Sequence, residues 1–136
     1  MVRFVPWAKA SDDDWEHGLR QKLMGQVNLV RIGAEFVCDG GSFTLTSGVL
    51  AQHPIAGSSI VSTVNGAIEA FVRSAAVELG RGLRVNVVSP GWIAETLQAM
   101  NMDPGEGLPA ADVALRYKES VEGSMNGQVL AAIRAA

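Results

Sequence analysis

Few side chains in this sequence could move a proton or attack a bond, and they lie far apart in the chain. His53 sits in a loop, where an imidazole titrates near neutral pH and could serve as acid or base toward a substrate; the plainer reading is a surface loop histidine. Ser47 offers a hydroxyl at the end of a short β-forming stretch, either to a substrate oxygen or as a buried or capping group. His17 stands beside acidic residues and reads as solvated. The single tyrosine, Tyr117, is followed directly by Lys118 and reads as a packing residue with a polar tip. Cys38 is the one cysteine, so neither an internal disulfide nor a CxxC metal pair can form, and no metal is expected. Gly105-Glu106-Gly107-Leu108-Pro109-Ala110 fits a loose glycine pattern. No strand precedes it and Pro109 removes an amide donor, so it is not read as a phosphate loop.

The elements that must position these groups follow from periodicity. Ser11 and Asp14 form a capping-box pattern, and apolar residues recur on one helical face from Trp15 to Val37. This predicts a long helix over 12–38, with residues 1–10 as a loop or tail. "SFTLTS" at 42–47 alternates and predicts a strand. Ser58 or Ser59 caps a second long helix, 58–79, apolar on two sides: one side for the sheet, the other for a second subunit. "LRVNVV" at 83–88 predicts another strand, broken by "SPGW". A short helix over 95–102, a helix following Pro109 and a closing strand over 127–133 complete the pattern. Strands alternating with helices imply an α/β fold, three parallel strands with flanking helices.

In order and wording these segments resemble the C-terminal half of the short-chain dehydrogenase/reductase family, from about Val2 to Ile133. "DWEHGLRQKLMGQVNL" is similar to that family's fourth helix, "SFTLTSG" to its serine-bearing strand, and "VSTVNGAIEAFVRSAAVELG" to its catalytic helix. "RVNVVSPGWIAET" is similar to its strand and Pro-Gly turn at the nicotinamide. The resemblance implies a partial Rossmann-like fold and, by ancestry, an NAD(P)-dependent oxidoreductase of carbonyl or alcohol substrates. It leaves the family's dinucleotide-binding half unmatched, so binding of NAD or NADP by this chain alone is an open expectation. Ser47 stands at the family's serine. Val61 stands at its tyrosine and Asn65 at its lysine. Lys22 stands where the family has an asparagine, as if lysine and asparagine had been exchanged between two helices. Lys22, Ser47 and Asn65 are therefore the altered catalytic positions, with Lys22 expected near Asn65; the alternative is a solvated lysine. Pro90, Gly91, Trp92 and Ile93 match the turn that meets the nicotinamide. Trp92, like His53, is a candidate substrate contact, or else core. Valine has no transferable proton, which argues against the ordinary chemistry. A non-catalytic oligomeric scaffold or small-ligand-binding module is the competing reading.

Size and charge narrow the partners. The 136 residues suit one domain, and a net charge of −3 without a basic stripe argues against nucleic acid. No apolar run suggests a signal peptide or a membrane span, and one cysteine suits the cytoplasm. A half-fold would expose a strand edge and apolar helix faces. Self-association through helices 12–38 and 58–79 is therefore expected.

Overall fold

The computed structural model describes residues 3–134; Met1 and Val2, the start of the expected tail and of the resemblance, lie outside the described residues. Three parallel strands, β1 (Ser42–Thr46), β2 (Arg84–Pro90) and β3 (Val129–Ala132), lie in the order β1-β2-β3. Alternation along each strand sends successive side chains to opposite faces. Phe43, Leu45, Val85 and Val87 meet helix α3 (Ser59–Glu78), whose Ile60, Val64, Ile68 and Val72 have no exposed surface. The other face carries α5 (Ala110–Glu122), reached from β2 through the short α4 (Ala94–Ala99). Val88, Leu130 and Ala132 pack there against Val113 and Tyr117.

The first helical stretch differs from the continuous α-helix expected over 12–38. It runs as α1 (Asp12–Gly18), a π-helical turn (Leu19–Met24) and α2 (Gly25–Gly33). The capping box forms in both directions between Ser11 and Asp14. The hydrogen bonds from Ser11, then the nearby Arg3, hold the Asp14 carboxyl below the usual aspartate range. The helix stops at Gly33 rather than Cys38, because the carbonyls of Ala34 and Val37 are taken by the Arg81 guanidinium. Nor is the leading segment a loose tail throughout. Trp7–Lys9 form a 3-10 turn, and the Val5 amide donates to Gly57.

Smaller differences have local causes. Ser58 holds the N-cap position of α3, yet its hydroxyl bonds the backbone of Ile55 and the Ser62 hydroxyl instead of a backbone amide of the first turn. β2 runs through Ser89 and Pro90, where a break was expected, because β3 pairs with it as far as Ala132. The α4 helix is shorter than 95–102 and closes at Ala99. The expectation that no apolar run is long enough to cross a membrane needs correction by length and composition: α3 has 20 residues, and its best window has a mean hydropathy of 1.2. Burial of one side on the sheet accounts for that composition.

The outer edge of β1 is partly closed from within. The Thr46 amide donates to Gln26 Oε1 at 2.7 Å, and Gln26 Nε2 donates to the Thr46 carbonyl at 2.9 Å. One side-chain amide thus stands in for a neighbouring strand.

Candidate functional site

A cavity of about 190 Å³ opens where β1 and β2 end, the place at which open α/β sheets bind ligands. It is lined by Lys22, Ser47, Val61, Asn65, Pro90, Gly91 and Trp92, together with Phe4, Gly48, Val49 and Leu50. Positions drawn from two helices and two strand ends therefore share one hollow. His53 and Ile93 do not. His53 is exposed, since a 3-10 turn at Val49–Ala51 carries the chain outward before it. Ile93 instead packs with Leu108 on the α5 face.

Lys22 sits on the π-helical turn, an element type that recurs at functional sites. Its Nζ donates to Asn65 Oδ1 at 2.7 Å and to the Ser47 carbonyl at 3.0 Å. Both acceptors are neutral. None of the salt bridges among the described residues includes Lys22. Burial without a counter-ion lowers its pKa from the ordinary 10.5.

Asn65 is buried on α3, and its Nδ2 reaches the Gly48 carbonyl at 3.4 Å. This close approach needs glycine, because a Cβ on Gly48 would lie 2.8 Å from Asn65 Nδ2.

Ser47 extends the β1–β2 pairing by one bond, from its amide to Val88. Its hydroxyl donates to Glu69 Oε1 at 2.9 Å, and Gln52 Nε2 donates to Glu69 Oε2 at 2.5 Å. Glu69 is 3% exposed, one turn beyond Asn65 on the same helix. Sequence reasoning missed it, because an acid among alternating helix positions reads as solvent-facing. Its i+4 spacing from Asn65 is the signal that could have placed it. The contact commits the Ser47 proton to a carboxylate rather than to the cavity. Val61, 8% exposed, gives the wall an apolar surface.

The Pro90–Ile93 turn leaves backbone donors available. Gly91 N–H bonds Ala132, whereas the Trp92 and Ile93 amides have no acceptor among the described residues. That arrangement suits a carboxamide such as that of nicotinamide. Tyr117 stands on the opposite face of the sheet, its hydroxyl 2.6 Å from Thr46 Oγ1, and takes no part in the cavity. Among the described residues no cluster of His, Cys, Asp and Glu could hold a metal ion.

The family described as enoyl-(acyl carrier protein) reductase matches residues 3–128. The short-chain dehydrogenase/reductase MalC of Malbranchea aurantiaca is 47% identical over 57 residues, 42% of this chain and 21% of that protein. Among solved structures, the protein lin1944 from Listeria innocua superposes with a TM-score of 0.90 at 35% identity, covering 96% of this chain and 66% of that one. A small-chain dehydrogenase solved in complex with NADPH gives 0.85 at 28% identity, covering 98% and 68%. The matched part spans between 21% and 39% of the curated relatives' length.

Proposed function

Because this chain belongs to the short-chain dehydrogenase/reductase family, we propose that its cavity holds the carbonyl or alcohol group of a small substrate beside the nicotinamide of NAD or NADP, with Lys22 as hydrogen-bond donor to the substrate oxygen. The observation that supports this reading is the lysine's geometry. Two of the three ammonium donors are committed, to Ser47 and Asn65, which leaves one for the cavity. The nicotinamide would rest on the Pro90–Ile93 turn and, when bound, exchange a hydride with the substrate carbon. Lys22 stabilises negative charge that builds on the oxygen. Its lowered pKa makes the proton easier to give up than that of a solvated lysine. Asn65 and the Ser47 carbonyl fix the direction of Nζ. Val61 lines the site with an apolar surface.

Titration with NADH and NADPH, followed by turnover of a panel of small aldehydes and ketones, tests the reading. Lys22→Met should retain cofactor binding and lose about 10²-fold or more in turnover, the range for a proton-transfer group. Turnover unchanged in Lys22→Met, or no nicotinamide bound by this chain or any longer protein that contains it, overturns it.

The Ser47–Glu69 bond and Val61 favour a second reading, a small-ligand-binding module without hydride transfer. Thermal stabilisation by a carbonyl compound with no nicotinamide oxidised would support that reading instead. In either case we propose a homo-oligomer. A groove of about 450 Å³ runs between α2 and α3, and its lining includes the apolar side chains of Val27, Val30, Ala34, Phe71, Ala75 and Leu79. A second copy of the chain is the occupant proposed for this face, and a strictly monomeric species in light scattering at micromolar concentration would refute it.

A further inference from the structure

We infer that Lys22, as a neutral amine, condenses with a small aldehyde or ketone in the cavity to form a covalent imine, an activity separate from hydride transfer. The inference uses the same free position of Lys22 as the proposed function, but in the deprotonated amine, and it needs no nicotinamide, so its test can fail while cofactor binding and turnover stand, or succeed without them.

Beyond its carbon, a lysine amine has three tetrahedral positions. At Lys22 two of them face atoms that only accept, the Ser47 carbonyl at 3.0 Å and Asn65 Oδ1 at 2.7 Å. The Asn65 orientation is set by its own Nδ2, which points to the Gly48 carbonyl. A neutral amine satisfies both acceptors with its two N–H bonds. Its lone pair then occupies the third position, toward the cavity that Lys22 lines. The same two bonds that restrain the side chain thus aim its nucleophilic electron pair.

The surroundings shift the lysine toward the uncharged form. The other cavity-lining residues include no acid. Glu69 is the titratable group tied to this cluster, and it faces Ser47 Oγ and Gln52 Nε2 rather than Nζ. Burial lowers the lysine pKa, and a desolvated lysine of this kind is a recognised amine nucleophile. The walls from Val49, Leu50, Val61 and Trp92 are apolar and limit hydration of the product. A cavity of about 190 Å³ has room for the carbonyl group of a small aldehyde or ketone.

In the reaction, the nitrogen lone pair forms a C–N bond to the carbonyl carbon as the C=O π bond breaks; the oxygen takes a proton from water and the nitrogen gives one to solvent, which leaves a neutral carbinolamine. Its hydroxyl takes a second proton and departs as water as the C–O bond breaks, the nitrogen gives up its second proton to solvent, and C=N forms. Amine plus carbonyl gives imine plus water, with nothing oxidised or reduced.

The sequence makes the test direct. It contains three lysines, Lys9, Lys22 and Lys118, and Lys9 and Lys118 are exposed. The full chain is incubated with propanal or benzaldehyde, trapped with borohydride, which reduces an imine to a stable secondary amine, and mapped by mass spectrometry. Lys22 should be labelled severalfold faster than either exposed lysine, and the difference should vanish in urea. Asn65→Asp places a carboxylate against Nζ, favours the charged form and should slow labelling while keeping the lysine. Equal or slower labelling of Lys22 in the folded chain overturns the inference. So does an Asn65→Asp variant with a native circular dichroism spectrum and unslowed labelling.

Discussion

The two faces of the sheet are built on different principles. Toward α3 the contacts are almost wholly aliphatic: Leu45, Val85 and Val87 meet Ile60, Val64, Ile68 and Val72. Toward α5 they are largely directional. Thr44 bonds Ser120 at 2.7 Å, Thr46 bonds Tyr117 at 2.6 Å, and Asn86 Nδ2 donates to Ser120 Oγ and to the Met125 carbonyl. The Arg84 guanidinium adds bonds to the carbonyls of Ser120, Val121 and Met125 at the end of α5. Close aliphatic packing is dense and resists displacement. Hydrogen bonds fix angle and register, at the cost of a penalty if one partner is lost. The cavity belongs to the α3 face. Asn65 and Glu69 are polar residues carried into that interior by a helix that the aliphatic contacts hold in place.

Substitutions on each face separate the two principles. The largest loss is expected from Ile68→Ala, about 2–5 kcal/mol by chemical denaturation, as for other large-to-small changes in a filled core. That variant should also loosen the cavity, because Ile68 precedes Glu69 and follows Asn65 by three positions on α3. On the other face, Asn86→Ala should cost about 1–3 kcal/mol, since Ser120, Met125 and the Gln128 amide each lose a partner. Tyr117→Phe should cost only about 0.5–1.5 kcal/mol, the net value of one hydrogen bond, and should leave ligand binding unchanged. Comparable destabilisation by Ile68→Ala and Tyr117→Phe would erase the distinction between the faces.

The smallest effect should appear in the pH dependence of stability. The folded-state pKa of Lys22 lies below its unfolded value, so between the two the unfolded chain binds more protons. Stability should therefore rise with pH through that window, which ends near the ordinary lysine value of 10.5. Below the folded-state pKa the burial penalty is fully present. Lys22→Met should flatten this alkaline rise, as denaturant midpoints across a pH series would show.

How far the sequence could be read depended on the range of the interactions involved. Alternation in 42–46 and the helical spacing in 59–78 reflect local geometry, so the elements were legible to within a few residues. Ser47, Val61 and Asn65 stand out through the resemblance to a family, and the structure brings them to one cavity. Glu69 was not legible, because its carboxylate is explained by Ser47, 22 residues away in the chain. The π-helical turn that carries Lys22 was hidden as well: its apolar spacing suits a continuous α-helix. His53 is exposed in its loop, as the plainer reading has it, and the candidate role as a substrate contact fails because the loop's direction depends on its turns, here the 3-10 turn at Val49–Ala51.

The sequence by itself determined the alternation of strands and helices and the absence of a proton-bearing side chain at Val61. It also determined that a lysine and an asparagine stand at Lys22 and Asn65. Only the tertiary structure decided that these two meet, across 43 residues of chain, and that the Ser47 hydroxyl turns to Glu69 instead of the cavity. Local patterns record what each segment buries. Which polar atoms become partners depends on how the packed segments are brought together, and no single segment encodes that.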